Sequence, residues 1–360
     1  MGKYNKSNLR GFWKKLTQIN GWCLLIAAVV IIAEMICLEV LLSPGTIKGS
    51  QQSLYLAHDK DDHTHVAWEA LNSNRDRLPI QVYVIGGSTI REGLYDTAEM
   101  SRLLSAQLGR PAYFGVLGSS GQTLAESLYL SEALPITRDT TLVVQVNPWR
   151  FSYRPWEVKV PFVREQNRTE LLDYRPAVWR ERDYIRYYIN KRISFPFFEN
   201  LVALIKGKKI KAKSWQLVNI ASVEKYNPYN YTHDFTPKRK RKMTLALKKY
   251  HLDFVKHYQA NLQTLKKLIE VQKKRGVNII LLQGPHSDSF LKGWGPHWVK
   301  QDREVAQLCR QEGILYLRVP VGELMDDSDF IDLSHPNQKG RDKFSHWIVQ
   351  QVARTIDARH

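Results

Sequence analysis

Residues 80–89 read IQVYVIGGST. The run from Ile80 to Ile85 is short, β-branched and aromatic, as expected of a strand covered on both faces in a parallel sheet. Gly86-Gly87 ends it and places Ser88 just past the strand's carboxyl end. Downstream, Asp96-Thr97-Ala98-Glu99 has the pattern of a capping box, and Met100, Leu103, Leu104 and Leu108 follow at helical spacing. Ala112 to Leu117 reads as a second strand, Thr123-x-x-Glu126 as the start of another helix, and Thr141 to Val146 as a third strand. After Trp149 the pattern breaks into a segment, about 150–240, rich in Trp, Tyr, Arg and Lys. Order returns with a helix from Met243 to Lys274, which carries Leu247, Phe254, Tyr258, Leu262, Leu265 and Ile269 along one face. A fourth strand over Val277–Leu282, a helix over Arg303–Glu312, a fifth strand over Ile314–Val319 and a closing helix over Gly340–Ala358 complete the chain. Strands alternating with helices predict an α/β fold. The expected form is three-layered: a roughly five-stranded parallel sheet covered by helices on both faces and carrying a large insertion.

Upstream, residues 22–42 read WCLLIAAVVIIAEMICLEVLL. A bilayer core of roughly 30 Å requires about 20 apolar helical residues. The first twenty residues hold Lys3, Lys6, Arg10, Lys14 and Lys15 and no acid, which orients the N-terminus toward the cytoplasm. The apolar run exceeds a signal-peptide core of ~7–15 residues, and Pro44-Gly45 follows without a small-residue cleavage pattern. The sequence therefore predicts a cytoplasmic tail over 1–20, a transmembrane anchor over 21–43, a polar linker over 44–78 and an extracytoplasmic domain over 79–360, with the inner membrane as its location. Glu39 can reach the outer interface. Glu34 lies deeper, where a carboxyl is costly unless neutral or paired, and it is a candidate contact with another membrane helix.

The chain of 360 residues carries 53 Lys+Arg against 35 Asp+Glu, a formal charge of +18. An ordinary apolar share of 43% excludes disordered and fibrous classes. Three cysteines, Cys23, Cys37 and Cys309, have no spacing for a disulfide framework or structural zinc; no metal or cofactor is expected. Basic clusters at Lys206–Lys213 and Lys238–Lys242 would suggest nucleic acid in a cytoplasmic protein. On an outward-facing domain they point instead to anionic lipid or an anionic envelope polymer. The run HDKDDHTH, His58 to His65, lacks regular metal-ligand spacing and reads as solvated linker.

In an open parallel sheet, functional residues gather beyond the carboxyl ends of the strands. The first strand leads to Ser88, the second to Ser119-Ser120-Gly121-Gln122, the third to Asn147-Pro148, and a late loop reads Asp332-Leu333-Ser334-His335-Pro336-Asn337. Ser88 is a weak nucleophile that needs a base, which His335 can supply. Asp332, three residues earlier, can fix the imidazole tautomer. The N–H groups of Ser88 and Gly121 and the Asn147 amide are candidate oxyanion donors. His286 follows the fourth strand and is a candidate pocket residue. Trp294, His297 and Trp298 could contact a sugar or lipid, or fill the core. Ser88 is not in a G-x-S-x-G elbow, because Ile90 takes the last position, and no phosphate-loop lysine follows the glycines at 115, 118 and 121.

These blocks resemble those of an SGNH (GDSL-type) hydrolase over about 79–149 and 276–358. Ser88 in GGST stands where many members have GDS, Gly121 matches the second block, and Asp332-x-x-His335 followed by Pro-Asn matches the last. Gln145-Val146-Asn147-Pro148 departs from the usual G-x-N-D. The resemblance implies an α/β/α fold and a Ser88–His335–Asp332 triad with Ser88, Gly121 and Asn147 as the oxyanion hole. In layout the chain is also similar to teichoic-acid D-alanyl-transfer and envelope-polysaccharide O-acetylation proteins, which work beside a multispanning membrane O-acyltransferase. The expectation is a membrane-anchored serine esterase or O-acyltransferase acting on an envelope polysaccharide or lipid-linked glycan. The alternatives are a catalytically silent glycan-binding scaffold and a basic adaptor on anionic lipid.

Overall fold

The computed structural model describes residues 78–136, 139–155 and 237–359, the strand segments 52–56 and 215–219, Val66, and part of 21–36. In chain order the strands are β1 (Gln52–Leu56), β2 (Ile80–Gly86), β3 (Ala112–Gly118), β4 (Thr140–Gln145), β5 (Trp215–Asn219), β6 (Asn278–Gln283) and β7 (Leu315–Arg318). The helices are α1 (Ser88–Gly93), α2 (Thr97–Leu108), α3 (Leu124–Ala133), α4 (Pro148–Ser152), α5 (Pro237–Lys274), α6 (Asp288–Trp294), α7 (Pro296–Glu312) and α8 (Gln338–Asp357). Five strands form one parallel sheet, as the alternation predicted, in the order β3-β2-β4-β6-β7.

Period-two alternation divides the core into two layers. Val82 and Val84 of β2, Val143 of β4, and Ile280 and Leu282 of β6 face the helices α1, α2 and α8, meeting Met100, Leu104, Phe344, Ile348 and Val352. Tyr83 and Ile85, Leu142 and Val144, and Ile279 and Leu281 face the opposite side, where Leu124, Leu128, Leu262, Leu265 and Val305 pack. All six residues predicted for the inner face of α5 are buried. Strands β2, β4 and β6 are buried at every position, the expected state of a sheet covered twice.

Several boundaries differ from the sequence expectation. Helix α5 begins at Pro237, not Met243, and absorbs the basic run from Lys238. Proline at a first helical position is a start signal, but the cations after it oppose the helix dipole and hid the start. Helix α7 begins at Pro296 rather than Arg303, after Gly295 at φ 48°. Helix α6 and the turn of helix at Ser88 were not anticipated. Within the expected linker, Gln52–Leu56 forms a strand antiparallel to Trp215–Asn219, which lies inside the expected insertion. The rest of the linker apart from Val66 and Leu78, residues 156–214 (with the cluster at Lys206–Lys213) and 220–236 of the insertion, the cytoplasmic tail, Glu34 and Glu39 lie outside the described residues, as does most of the expected anchor. Among the described residues no helix is long and apolar enough to cross a membrane.

The carboxyl end of β4 is locked from within. Arg150, 1% exposed, donates through Nε to the Gln122 carbonyl (3.2 Å), through Nη1 to the Gln145 carbonyl (2.6 Å) and through Nη2 to the Thr123 carbonyl (2.7 Å) and the Ser127 hydroxyl. Burial pulls its guanidinium down to about 10, so it stays charged at neutral pH. One side chain thus joins the β3–α3 loop, β4 and α4. Arg150→Met strands these acceptors without partners, each costing about 1–3 kcal/mol. The variant is expected to lose about 3 kcal/mol or more of stability, measured as the shift in urea unfolding midpoint at unchanged slope.

Candidate active site

In the strand order β3-β2-β4, the chain leaves β2 for one neighbour and returns to the other side at β4. Such a switch opens a crevice beyond the strand ends. Ser88 stands there at the first position of α1, and Asn147 caps α4 immediately after β4. The two flank a cleft of about 150 Å³, whose walls include Trp149, Tyr153, Tyr250 and His335.

The turn before Ser88 is set by Gln145. Its Oε1 accepts the Gly87 N–H at 2.8 Å. A Cβ at Gly86 would collide with Ile90 and with Gln145 Oε1, and one at Gly284 would collide with Gln145 Nε2. Glycine at the ends of β2 and β6 therefore admits one carboxamide between three strand ends. The turn needs no left-handed backbone: the N-cap Gly87 is extended, at φ −77°.

The loop carrying His335 is packed: Asp332, Leu333 and Ser334 are all buried. Asp332 Oδ1 accepts the N–H groups of Ser334 (3.0 Å) and His335 (2.9 Å). The Ser287 N–H and hydroxyl both donate to the Leu333 carbonyl, at 3.0 and 2.9 Å, tying this loop to the one after β6. Asn337 accepts the Gly340 N–H and so caps α8. These contacts explain the residues on either side of the Asp-x-x-His pair.

Three side chains predicted from two distant stretches meet in one line. Ser88 Oγ lies 2.8 Å from His335 Nε2, and His335 Nδ1 lies 2.9 Å from both oxygens of Asp332. Burial favours the neutral Asp332 carboxyl, but the His335 ring and the two backbone donors outweigh it and hold the group at about 2. Burial likewise disfavours a charged His335, yet Asp332, and then Glu92, raise it above the ordinary histidine value. With Asp332 ionised, the neutral ring carries its proton on Nδ1 and presents Nε2 as acceptor to the Ser88 hydroxyl.

The Asn147 oxygen accepts the Arg150 N–H at 3.2 Å, which leaves its Nδ2 without a partner among the described residues. The first N–H groups of a helix have no acceptor within it, and Ser88 occupies such a position. Gly121 is placed differently. It sits in a turn at φ 63°, two residues before the Thr123 cap rather than at a helix start, and outside the cleft wall. His286 is also not in that wall. It is buried against Phe290, ring centroids 4.2 Å apart, and burial, then the nearby His335, lowers it to about 3. Trp294 is buried in the core beside Phe254 and His297. Among the described residues no group of His, Cys, Asp and Glu could hold a metal. The sequence reading missed Arg150, Gln145 and Glu92. The one signal for them was position, since each lies within five residues of Ser88 or Asn147.

No protein-family profile and no curated protein matches the chain. Among solved structures, one similar in part is a protein described as lipolytic, of the G-D-S-L family, from Desulfitobacterium hafniense DCB-2. It has 11% identity and a TM-score of 0.33, over 77% of this chain and 98% of that one. Another is an active-site mutant of a family two carbohydrate esterase from Clostridium thermocellum, with 10% identity and a TM-score of 0.31, over 78% of this chain and 65% of that one.

The Asp332–His335 pair sets a pH dependence of stability. Asp332 is depressed on folding, so its contribution is present above its unfolded value near 3.9 and is lost as pH falls toward about 2. His335 is raised on folding, so its contribution is full below about 6.5 and is lost as pH rises through its folded value. The pair stabilises most between about pH 4 and 6.5. Asp332→Asn is expected to flatten that share of the dependence on both sides, read from unfolding midpoints across pH 2–9.

Proposed function

We propose that the chain is a membrane-anchored, SGNH-type serine acyl hydrolase or acyltransferase acting outside the cytoplasmic membrane on an envelope polysaccharide or lipid-linked glycan. The observation that carries the reading is the Ser88–His335–Asp332 line, with spacings of 2.8 and 2.9 Å at the mouth of a cleft. Ser88 Oγ attacks the carbonyl of an acyl ester or thioester while His335 Nε2 takes its proton. The Asp332 carboxylate holds Nδ1–H and stabilises the imidazolium. The tetrahedral oxyanion is received by the Ser88 N–H and Asn147 Nδ2, whereas Gly121, outside the cleft wall, is not placed to join them. Collapse breaks the bond to the leaving group, which takes the proton back from His335. Water or a glycan hydroxyl, deprotonated by His335, then attacks the acyl-serine and restores the free hydroxyl.

Support for the anchor comes from the apolar run at 22–42. Its described members Trp22, Leu25, Ile26, Val29, Val30, Ile32, Ala33 and Ile36 are helical with exposed side chains, a surface that suits lipid. The anchor would hold the domain at the membrane, at high effective concentration beside lipid-linked substrates and a multispanning O-acyltransferase partner. Outward orientation, with basic residues at Arg241 and beyond, suits anionic lipid or polymer and no nucleic acid.

A fluorophosphonate probe should label the full chain and fail to label Ser88→Ala. Against any ester the enzyme accepts, Ser88→Ala should lower turnover by ~10⁴-fold and Asn147→Ala by ~10²–10³-fold. Labelling that survives in Ser88→Ala would end the mechanism, and a folded wild type that never labels would favour a scaffold. A cavity near 150 Å³ accepts a group about the size of benzene. Among p-nitrophenyl esters, acetate and butyrate should therefore be cleaved with much higher kcat/KM than laurate.

A further inference from the structure

The His335 ring has a carboxylate near each of its nitrogens. Asp332 is at Nδ1. On the other side, Glu92 Oε2 lies 4.0 Å from Nε2, the same atom that faces Ser88 Oγ. Glu92 follows Ser88 by four residues in α1, one helical turn along the same face. Its side chain is 4% exposed, and a buried carboxylate is costly unless paired. Oε1 is paired: Arg91 Nη2 lies 2.7 Å from it. The Glu92 backbone carbonyl takes a further hydrogen bond from Arg341 Nε of α8, at 3.0 Å, which fixes this end of α1. The pairing thus engages one carboxylate oxygen and leaves the other directed toward the imidazole.

We propose that Glu92 is a positioning residue that sets the basicity of His335, with Oε2 favouring the imidazolium formed when Nε2 takes the serine proton and Arg91 moderating the effect. The proposal rests on reading Ser88, His335 and Asp332 as an acyl-transfer triad. Its physics is the sign of the charges around one ring. Asp332, from the same loop, and Glu92, from α1, favour the cation, whereas Arg91, also from α1, opposes it. His286, in the loop after β6, is buried and neutral at working pH. Arg150 of α4 borders the cleft, but its donors are directed at Gln122, Thr123, Gln145 and Ser127. Arg341 approaches Glu92 through the backbone carbonyl. A negative oxygen close to the Nε2 lone pair destabilises the neutral ring relative to the protonated one, so the base is stronger. The consequence is that His335 also becomes protonated, and idle, at a higher pH than Asp332 alone would dictate.

Two variants of the full chain test this with opposite signs. In Glu92→Gln the His335 value should fall. The acid limb of the fluorophosphonate labelling rate should then move to lower pH by about half a unit or more, with a several-fold slower plateau. In Arg91→Gln the same limb should move to higher pH, because the moderating cation is gone. The His335 imidazole resonance, assigned by its loss in His335→Gln, should titrate in parallel in both variants. A limb unmoved in Glu92→Gln, or moved in the same direction by both changes as general loosening would produce, overturns the proposal. Should Glu92→Gln not fold, Arg91→Gln alone decides, since only an upward shift is compatible. If His335 titrates with opposite shifts in the two variants but wild type is never labelled at Ser88, the acyl-transfer reading fails while the coupling of Glu92 to His335 stands.

Discussion

Asp332 Oδ1 accepts two backbone N–H groups of its own loop and also lies 2.9 Å from His335 Nδ1. The carboxylate that folds the loop through Oδ1 therefore also aims the ring, which both of its oxygens approach at 2.9 Å. The arrangement is local, spanning three residues, but it is directed at Ser88 because other contacts place the loop. Ser287 grips the Leu333 carbonyl, and a bridge between Phe330 and Pro336 closes the loop's base. A carboxylate held ionised in this buried setting keeps Nε2 available to the serine hydroxyl.

The opposite wall depends on β4, the middle strand of the sheet. Within six residues its end supplies Gln145, Asn147 and Arg150. Gln145 holds the turn before Ser88, Asn147 faces the cleft, and Arg150 ties the β3–α3 loop underneath. Gln145 stands where the resemblance leads one to expect glycine. Its carboxamide fills a gap between strand ends and transfers the need for glycine to positions 86 and 284.

Strong periodic signals transferred well from sequence to structure. The stripe from Leu247 to Ile269 is buried as read, the Thr123–Glu126 capping box forms in both directions, and the five short apolar runs pair in parallel. Weak or conflicting local signals did not. Cations after Pro237 masked a helix start, a glycine bend at Gly295 obscured two helices meeting, and a polar stretch concealed β1, whose partner β5 lies 159 residues away. Ser88, Asn147, Asp332 and His335 were legible because each follows a strand end or a turn signal. Gly121 was matched by its block, but its turn lies outside the cleft wall.

Hydrophobic period, caps and turn residues act over a few positions, and so the amino-acid sequence alone determined the α/β class, the five strands of the sheet and the residues at their carboxyl ends. Which ends become neighbours depends on strand order, and the order β3-β2-β4-β6-β7 is a product of how helices cover both faces at once. Only that packing decided that Arg150 would be enclosed by carbonyls, that Gln145 would reach Gly87, and that Glu92 would stand beside His335 across 243 residues of chain. Such contacts arise between side chains that share no local pattern, and their energies exist only once the surrounding core has excluded water.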